Sequence, residues 1–129
     1  MTQNTHLNID PTLVGRVTRL THNHATVLLH TSRRMAADVQ GLVHGGFVFG
    51  AADYAAMCAV NDPYVVLGAS DVRFLAPVRV GDAVECRANV VDQKGKKRTV
   101  NVEAFVRGKK VFEGTFTTFI LDGHVLGNR

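Results

Sequence analysis

Along the chain, the spacing of hydrophobic positions changes character around one long apolar stretch. Before it, short apolar runs alternate with polar turns. Residues 13–20 and 25–30 read as two strands joined by the turn Thr21-His22-Asn23-His24, a hairpin. Residues 31–40 read as a connecting loop with Arg33, Arg34 and Asp38 exposed or near a site. From Gly45 to Asn61 the polar half of the pattern disappears. Asp53 is the one charged side chain there, and Tyr54 adds one hydroxyl. A helix that is apolar on all sides is normally buried on all sides. At 16 residues, 45–60, it is too short for a bilayer, which needs about 20. Asn61-Asp62-Pro63 is a stop signal, because Pro63 disfavours helix in the residue before it.

After Pro63 the period becomes two. Residues 64–75 form a long predicted strand with Val72 and Phe74 on one face and Asp71 and Arg73 on the other. Pro77 ends or edges it, and Val80-Gly81-Asp82 is a turn. Val84, Cys86, Ala88 and Val90 alternate in the next strand, and Val100, Val102, Ala104 and Val106 in the one after. Lys94-Gly95-Lys96-Lys97 and Arg107-Gly108-Lys109-Lys110 are hairpin tips, and residues 111–121 are the last strand. The sum is an α+β domain: an antiparallel sheet of about six strands wrapped around one long central helix. Hairpin connectivity predicts that the four later strands are successive antiparallel neighbours. An open sheet has edges, and pairing with a second copy covers an edge, so a homodimer with a continuous sheet is expected. Residues 1–129 read as a single domain without repeat or linker. The polar tails are 1–11, a loose start or short helix, and 122–129.

Composition narrows the class. With 46% hydrophobic and 20% charged residues, the chain is an ordinary globular one rather than a disordered one. The formal charge of +4 favours an anionic partner without naming it. Cys58 and Cys86 form no motif and read as buried free thiols, which fits a reducing compartment. The first residues have neither a basic nor an apolar leader segment, so a cytoplasmic, non-membrane protein is expected. The basic runs lack interleaved aromatics, which argues against nucleic acid. His22 and His24 have no acidic or thiol neighbour to complete a metal site, and no phosphate-cradling glycine pattern is present, so neither metal nor cofactor is expected.

The candidate chemistry lies in the apolar stretch. Asp53 in mid-helix is a poor helix former with no cation near it in sequence, and a buried carboxylate is costly unless paired or used. Gly45 and Gly46 stand where the helix begins, where free amides and the positive end of the dipole could face a ligand oxygen. An oxyanion site and a lone carboxylate in one segment are ingredients of acyl transfer. Asp53 could act as a base on water or as a nucleophile. His44 reads as a structural side chain that holds the loop by hydrogen bonds or as one that shapes the oxyanion pocket, and it stands with Asp53, Gly45 and Asp38 among the catalytic candidates.

These residues resemble the hotdog-fold acyl-CoA thioesterases, in particular the phenylacetate-degradation-type branch. The resemblance covers roughly residues 13–121. Its specific part is His44-Gly45-Gly46 with Asp53 nine residues after His44, followed by Arg73-Phe74-Leu75-Ala76-Pro77 and Val80-Gly81-Asp82. It implies that the Gly45 N–H binds the thioester carbonyl oxygen. It also implies that Asp53 is the catalytic carboxylate, acting across a dimer interface, and that two dimers form a tetramer without a metal. Related enzymes often carry Asn or Gln seven residues before the oxyanion glycine; here it is Asp38, a second carboxylate that would repel an oxyanion and raise the pKa of a neighbouring acid. Ser70 is the nearest match to a hydroxyl that some relatives place on the long strand. Gly46, Phe47, Phe49, Met57 and Phe74 are candidates to line or back the substrate pocket. Lys96, Lys97 and Arg98 are the candidates for the CoA phosphates. The expected activity is hydrolysis of an acyl-CoA to acid and CoA. The alternatives are a non-catalytic acyl-CoA sensor and a hotdog hydratase or dehydratase.

Overall fold

The computed structural model describes residues 1–127; the last two residues of the expected C-terminal tail lie outside the described residues. In chain order the elements are α1 (Pro11–Val14), β1 (Arg16–Thr21), β2 (His24–His30), a short 3-10 turn (Arg33–Met35), α2 (Gly45–Val60), β3 (Val65–Phe74), β4 (Ala83–Lys94), β5 (Lys97–Val106) and β6 (Lys109–Ile120). The strands form one antiparallel sheet in the order β1-β2-β4-β5-β6-β3. This is the hotdog arrangement of six strands and one long helix.

The order corrects one expectation. β3 and β4 are not neighbours. β3 crosses to the far edge and pairs with β6, and β4 pairs with β2. The physical reason is the link through residues 75–82. It is no tight turn: Val78 O accepts from Val43 N at 2.8 Å and Arg79 bridges Leu42, so the chain passes beside the start of α2 before β4 begins. The two-residue turns occur where expected. Arg107 and Gly108 both have positive φ, 48° and 79°, the backbone that a tight hairpin demands.

The N-terminal region differs as well. Leu13 and Val14 are helical rather than extended, because Asp10 caps α1 and Gly15, at φ 94°, ends it. The first residues are not loose. Thr5 is buried, Gln3 Nε2 donates to the Tyr54 hydroxyl, and the Asn61 side chain bonds Asn4 N and Thr2 O. Asn61 itself, in the left-handed region, closes α2 two residues before Pro63.

The core lies between α2 and the inward face of the sheet. Ala51, Ala52, Ala55, Ala56 and Ala59 give the helix a small-residue surface on which Ala25, Val27, Leu29, Val84, Cys86, Ala88, Val100, Val102 and Ala104 pack. Phe112 and Phe116 are the largest fully buried side chains. Cys58 and Cys86 are free and buried. The helix is not covered on all sides. Gly45, Phe49 and Asp53, four residues apart, are only half-buried and form one stripe. Phe49 lies over Phe116 at 5.5 Å, and Phe116 is paired with Ser70 of β3, so the stripe faces the β3 edge. Most of β3 is exposed. No helix among the described residues is long and apolar enough to cross a membrane.

Candidate active site

The start of α2 is held by backbone bonds from both sides. His44 N donates to Met35 O and Val43 N to Val78 O, each at 2.8 Å. His44 is the N-cap, yet its exposed side chain makes no capping bond and sits edge-on to Phe47. The loop is therefore held by the His44 backbone, not by its ring as the sequence suggests. Phe47 N donates to His44 O, while the amides of Gly45 and Gly46 have no acceptor among the described residues. These two donors sit at the positive end of the helix dipole.

The residues beside them form an apolar groove of about 360 Å³ lined by Leu42, Gly45, Val48, Phe74, Pro77 and Val111 among others. Phe74 lies edge-on to Phe112 at 5.2 Å, and its ring passes so close to Gly45 that a Cβ there would sit 3.1 Å from it. Glycine at 45 thus lets an aromatic wall stand against the helix end. Phe74 lines this groove. Phe49 and Met57 do not: Phe49 packs on Phe116, and Met57 is buried in the core.

Asp53 lies two helical turns farther along. Its Oδ1 is buried and has no hydrogen-bond partner among the described residues. Burial raises its pKa from 3.8 to about 6, and no other charge contributes to that shift. Asp38, exposed, accepts from Gln40 N and Leu42 N through Oδ1 at 3.0 and 3.2 Å. It shapes the loop that leads to the groove. Ser70 stands on the helix-facing side of β3, in register with Phe116.

Lys96, Lys97 and Arg98 are not brought to this end of the protomer. Lys97 pairs with Phe119, at the end of β6 remote from Phe112 and Phe74. Lys96 is bonded to Asp122 at 2.7 Å, and Arg98 to the carbonyls of Gly95 and Lys97. Charged residues that the sequence left in turns lie nearer: Arg79, Asp82, Arg107 and Lys109 surround a second cavity beside the groove. Val80-Gly81-Asp82 in the motif was the signal for this loop, but nothing in the sequence joined it to the β5–β6 tip. Among the described residues, no group of three His, Cys, Asp or Glu could hold a metal.

Free amides beside an apolar groove can polarise a carbonyl, and a carboxylate with a raised pKa can take a proton from water, each on its own part of α2. Comparison with known proteins gives the family. The Thioesterase superfamily profile matches residues 40–113. The chain belongs to the thioesterase superfamily. Among solved structures, an uncharacterized protein of Pyrococcus horikoshii superposes with a TM-score of 0.97 at 45% identity, over 98% of this chain and 97% of that one. A mutant of the phenylacetic acid degradation protein PaaI from Thermus thermophilus superposes with a TM-score of 0.77 at 31% identity, over 84% and 95% of the two chains. The chain is also 53% identical, over 119 residues, to a protein of Aquifex aeolicus named methylthioribose-1-phosphate isomerase. That match takes in 92% of this chain and 26% of the longer protein, so the chain spans about a quarter of that relative's length.

Proposed function

We propose that this thioesterase-superfamily chain hydrolyses an acyl-CoA thioester to a free acid and CoA, with Gly45 N–H binding the carbonyl oxygen and Asp53 activating water. The observation that carries this reading is the buried, unpartnered Oδ1 of Asp53 on the same helical stripe as the free Gly45 amide. A buried carboxylate with its pKa near 6 is a stronger base than an exposed Asp and is still ionised at neutral pH.

The two groups cannot serve one carbonyl from the same helix. Eight residues at 1.5 Å each separate them by about 12 Å, while the reacting atoms must lie within about 3–4 Å of both. A second α2 running the opposite way would bring a partner's Asp53 to Gly45. The exposed β3 edge supports that assembly, since pairing two β3 strands would join the sheets and cover the Gly45–Phe49–Asp53 stripe. Each dimer would hold two equivalent sites, and two dimers would form the tetramer.

In the reaction, water attacks the thioester carbon as Asp53 takes its proton. The oxyanion is held by Gly45 N–H, with Gly46 N–H close by. Collapse expels the thiolate of CoA, and the proton on Asp53 goes to the leaving sulfur. One such amide donor contributes about 3–4 kcal/mol of transition-state stabilisation in other enzymes. Phe74 and the groove hold the substrate beside the amide. Ser70, on the helix-facing side of the β3 edge, would bond the attacking water. Asp38 and His44 shape the loop and do not touch the reacting atoms.

The test is thiol release from a panel of acyl-CoAs, short, long and aromatic, by wild type and Asp53→Asn. Turnover by wild type, lost in the folded variant, is expected. Undiminished turnover in Asp53→Asn refutes the role of Asp53. Tight acyl-CoA binding without turnover on any member replaces the hydrolase with a sensor.

A further inference from the structure

The apolar groove at Gly45 continues into a cavity of about 380 Å³ with a different character, and the two share Ala76, Pro77 and Val111. The second cavity is lined by Arg79, Arg107 and Lys109, with Asp82 the one acidic residue. We propose that Arg79, Arg107 and Lys109 form an anion subsite that takes the phosphate groups of a CoA thioester whose thioester end lies in the groove. This deepens the hydrolase reading and rests on it for the substrate class.

The loop chemistry explains why the cations converge. Asp82 is buried, and its carbonyl accepts from both Thr31 N and Thr31 Oγ1. Its Oδ2 accepts from Arg79 N at 2.8 Å, and its Oδ1 from Arg107 Nη1 at 3.1 Å. One carboxylate thereby ties the link before β4 to the β5–β6 tip and sets two arginines on the same cavity. Three cations against one carboxylate leave an excess of two positive charges. Among the described residues, Arg79 and Lys109 make no ion pair. Lys110 next door is engaged by Glu103 and Glu113, so the strand alternation sends one lysine to the cavity and the other to a pair of carboxylates. An apolar groove running into an unneutralised cationic cavity fits a ligand that is apolar at one end and polyanionic at the other.

The experiment compares one acyl group carried on CoA and on pantetheine, which lacks the phosphates. The wild type and the Arg79→Ala/Lys109→Ala variant are measured on both. Wild type should prefer the CoA ester, and the variant should lower the ratio of the two kcat/KM values at least tenfold through KM. Equal wild-type kcat/KM on both esters overturns the subsite while leaving the hydrolase intact. So does loss of the ratio in Lys96→Ala/Lys97→Ala/Arg98→Ala but not in the cavity variant. If wild type hydrolyses neither ester, the hydrolase reading fails, and CoA binding by titration calorimetry then decides the subsite. At least tenfold weaker binding in the variant supports it, and equal binding overturns it.

Discussion

Replacing Asp53 by Asn separates what the carboxylate does for chemistry from what it costs the fold. The native chain raises its pKa from 3.8 to about 6 by burial. At 1.36 kcal/mol for each tenfold change in proton affinity, ionising Asp53 in the native state costs at most about 3 kcal/mol. The side chain is only half-buried, and solvent screening reduces this to about 1–2 kcal/mol. The direction follows from proton binding. Below about pH 3.8 the carboxyl is neutral in both the native and the unfolded chain, and no penalty exists. As pH rises from 3.8 through 6, the unfolded chain loses the proton first, and native stability falls. At pH 7 the penalty is complete. Asn keeps the shape and carries no charge at any pH. Asp53→Asn should therefore be more stable than wild type by about 1–2 kcal/mol at pH 7, with the gain shrinking toward zero as pH falls to 4. Urea unfolding at one fixed protomer concentration, from pH 4 to pH 8, measures it. A variant less stable than wild type at pH 7, or a difference that does not change with pH, refutes the reasoning. Either result would mean that the native carboxylate is satisfied by a partner rather than merely desolvated.

Three further outcomes are expected. The kcat/KM of wild type should rise with pH and level off above about 6 as Asp53 ionises; a profile flat from pH 5 to 8 would remove Asp53 as the base. Gly45→Ala should still fold, because the Phe74 ring it would crowd is 55% exposed and can give way. It should lose at least tenfold in turnover, because the new methyl would meet the Phe74 ring at 3.1 Å beside the amide; thermal melting and thiol release read the two effects separately. Asp82→Ala should cost about 2–3 kcal/mol, read as a lower urea midpoint, because it strands the Arg79 amide and frees Arg107.

The helix was legible because its pattern has no competitor. Sixteen residues with one charge read as a helix, and α2 spans Gly45–Val60 as the pattern predicts, although its Gly45–Phe49–Asp53 stripe is left half-buried. The alternating valines of β4 and β5 were legible for the same reason. Strand order was not, because alternation fixes a face and not a neighbour. The bonds from Val43 and Leu42 to residues 78 and 79 show where the chain crosses. The basic runs misled for a related reason. A hairpin tip of lysines looks the same at either end of a sheet, and β-pairing alone sends Lys96 away from Gly45 and Lys109 toward it. Charge count along the sequence carries no information about which end of the sheet a turn occupies.

Asp38 shows how a local bond can decide the weight of a departure from a family pattern. As a free second carboxylate it would repel an oxyanion and push a neighbouring acid upward. In the structure its Oδ1 accepts two backbone amides of its own loop, from Gln40 and Leu42. The amide oxygen of an Asn would accept the same two bonds. The residue's shape, rather than its charge, organises the turn that carries Gly41 at φ 86° and leads Leu42 to the groove. The upward shift of Asp53 has burial as its cause and owes nothing to Asp38. Within one protomer, then, Asp in place of Asn or Gln leaves the loop intact and Asp53 unperturbed. The change acts on the reaction only where a substrate's developing charge comes within range of Asp38. That is a property of the bound complex and not of the resting fold.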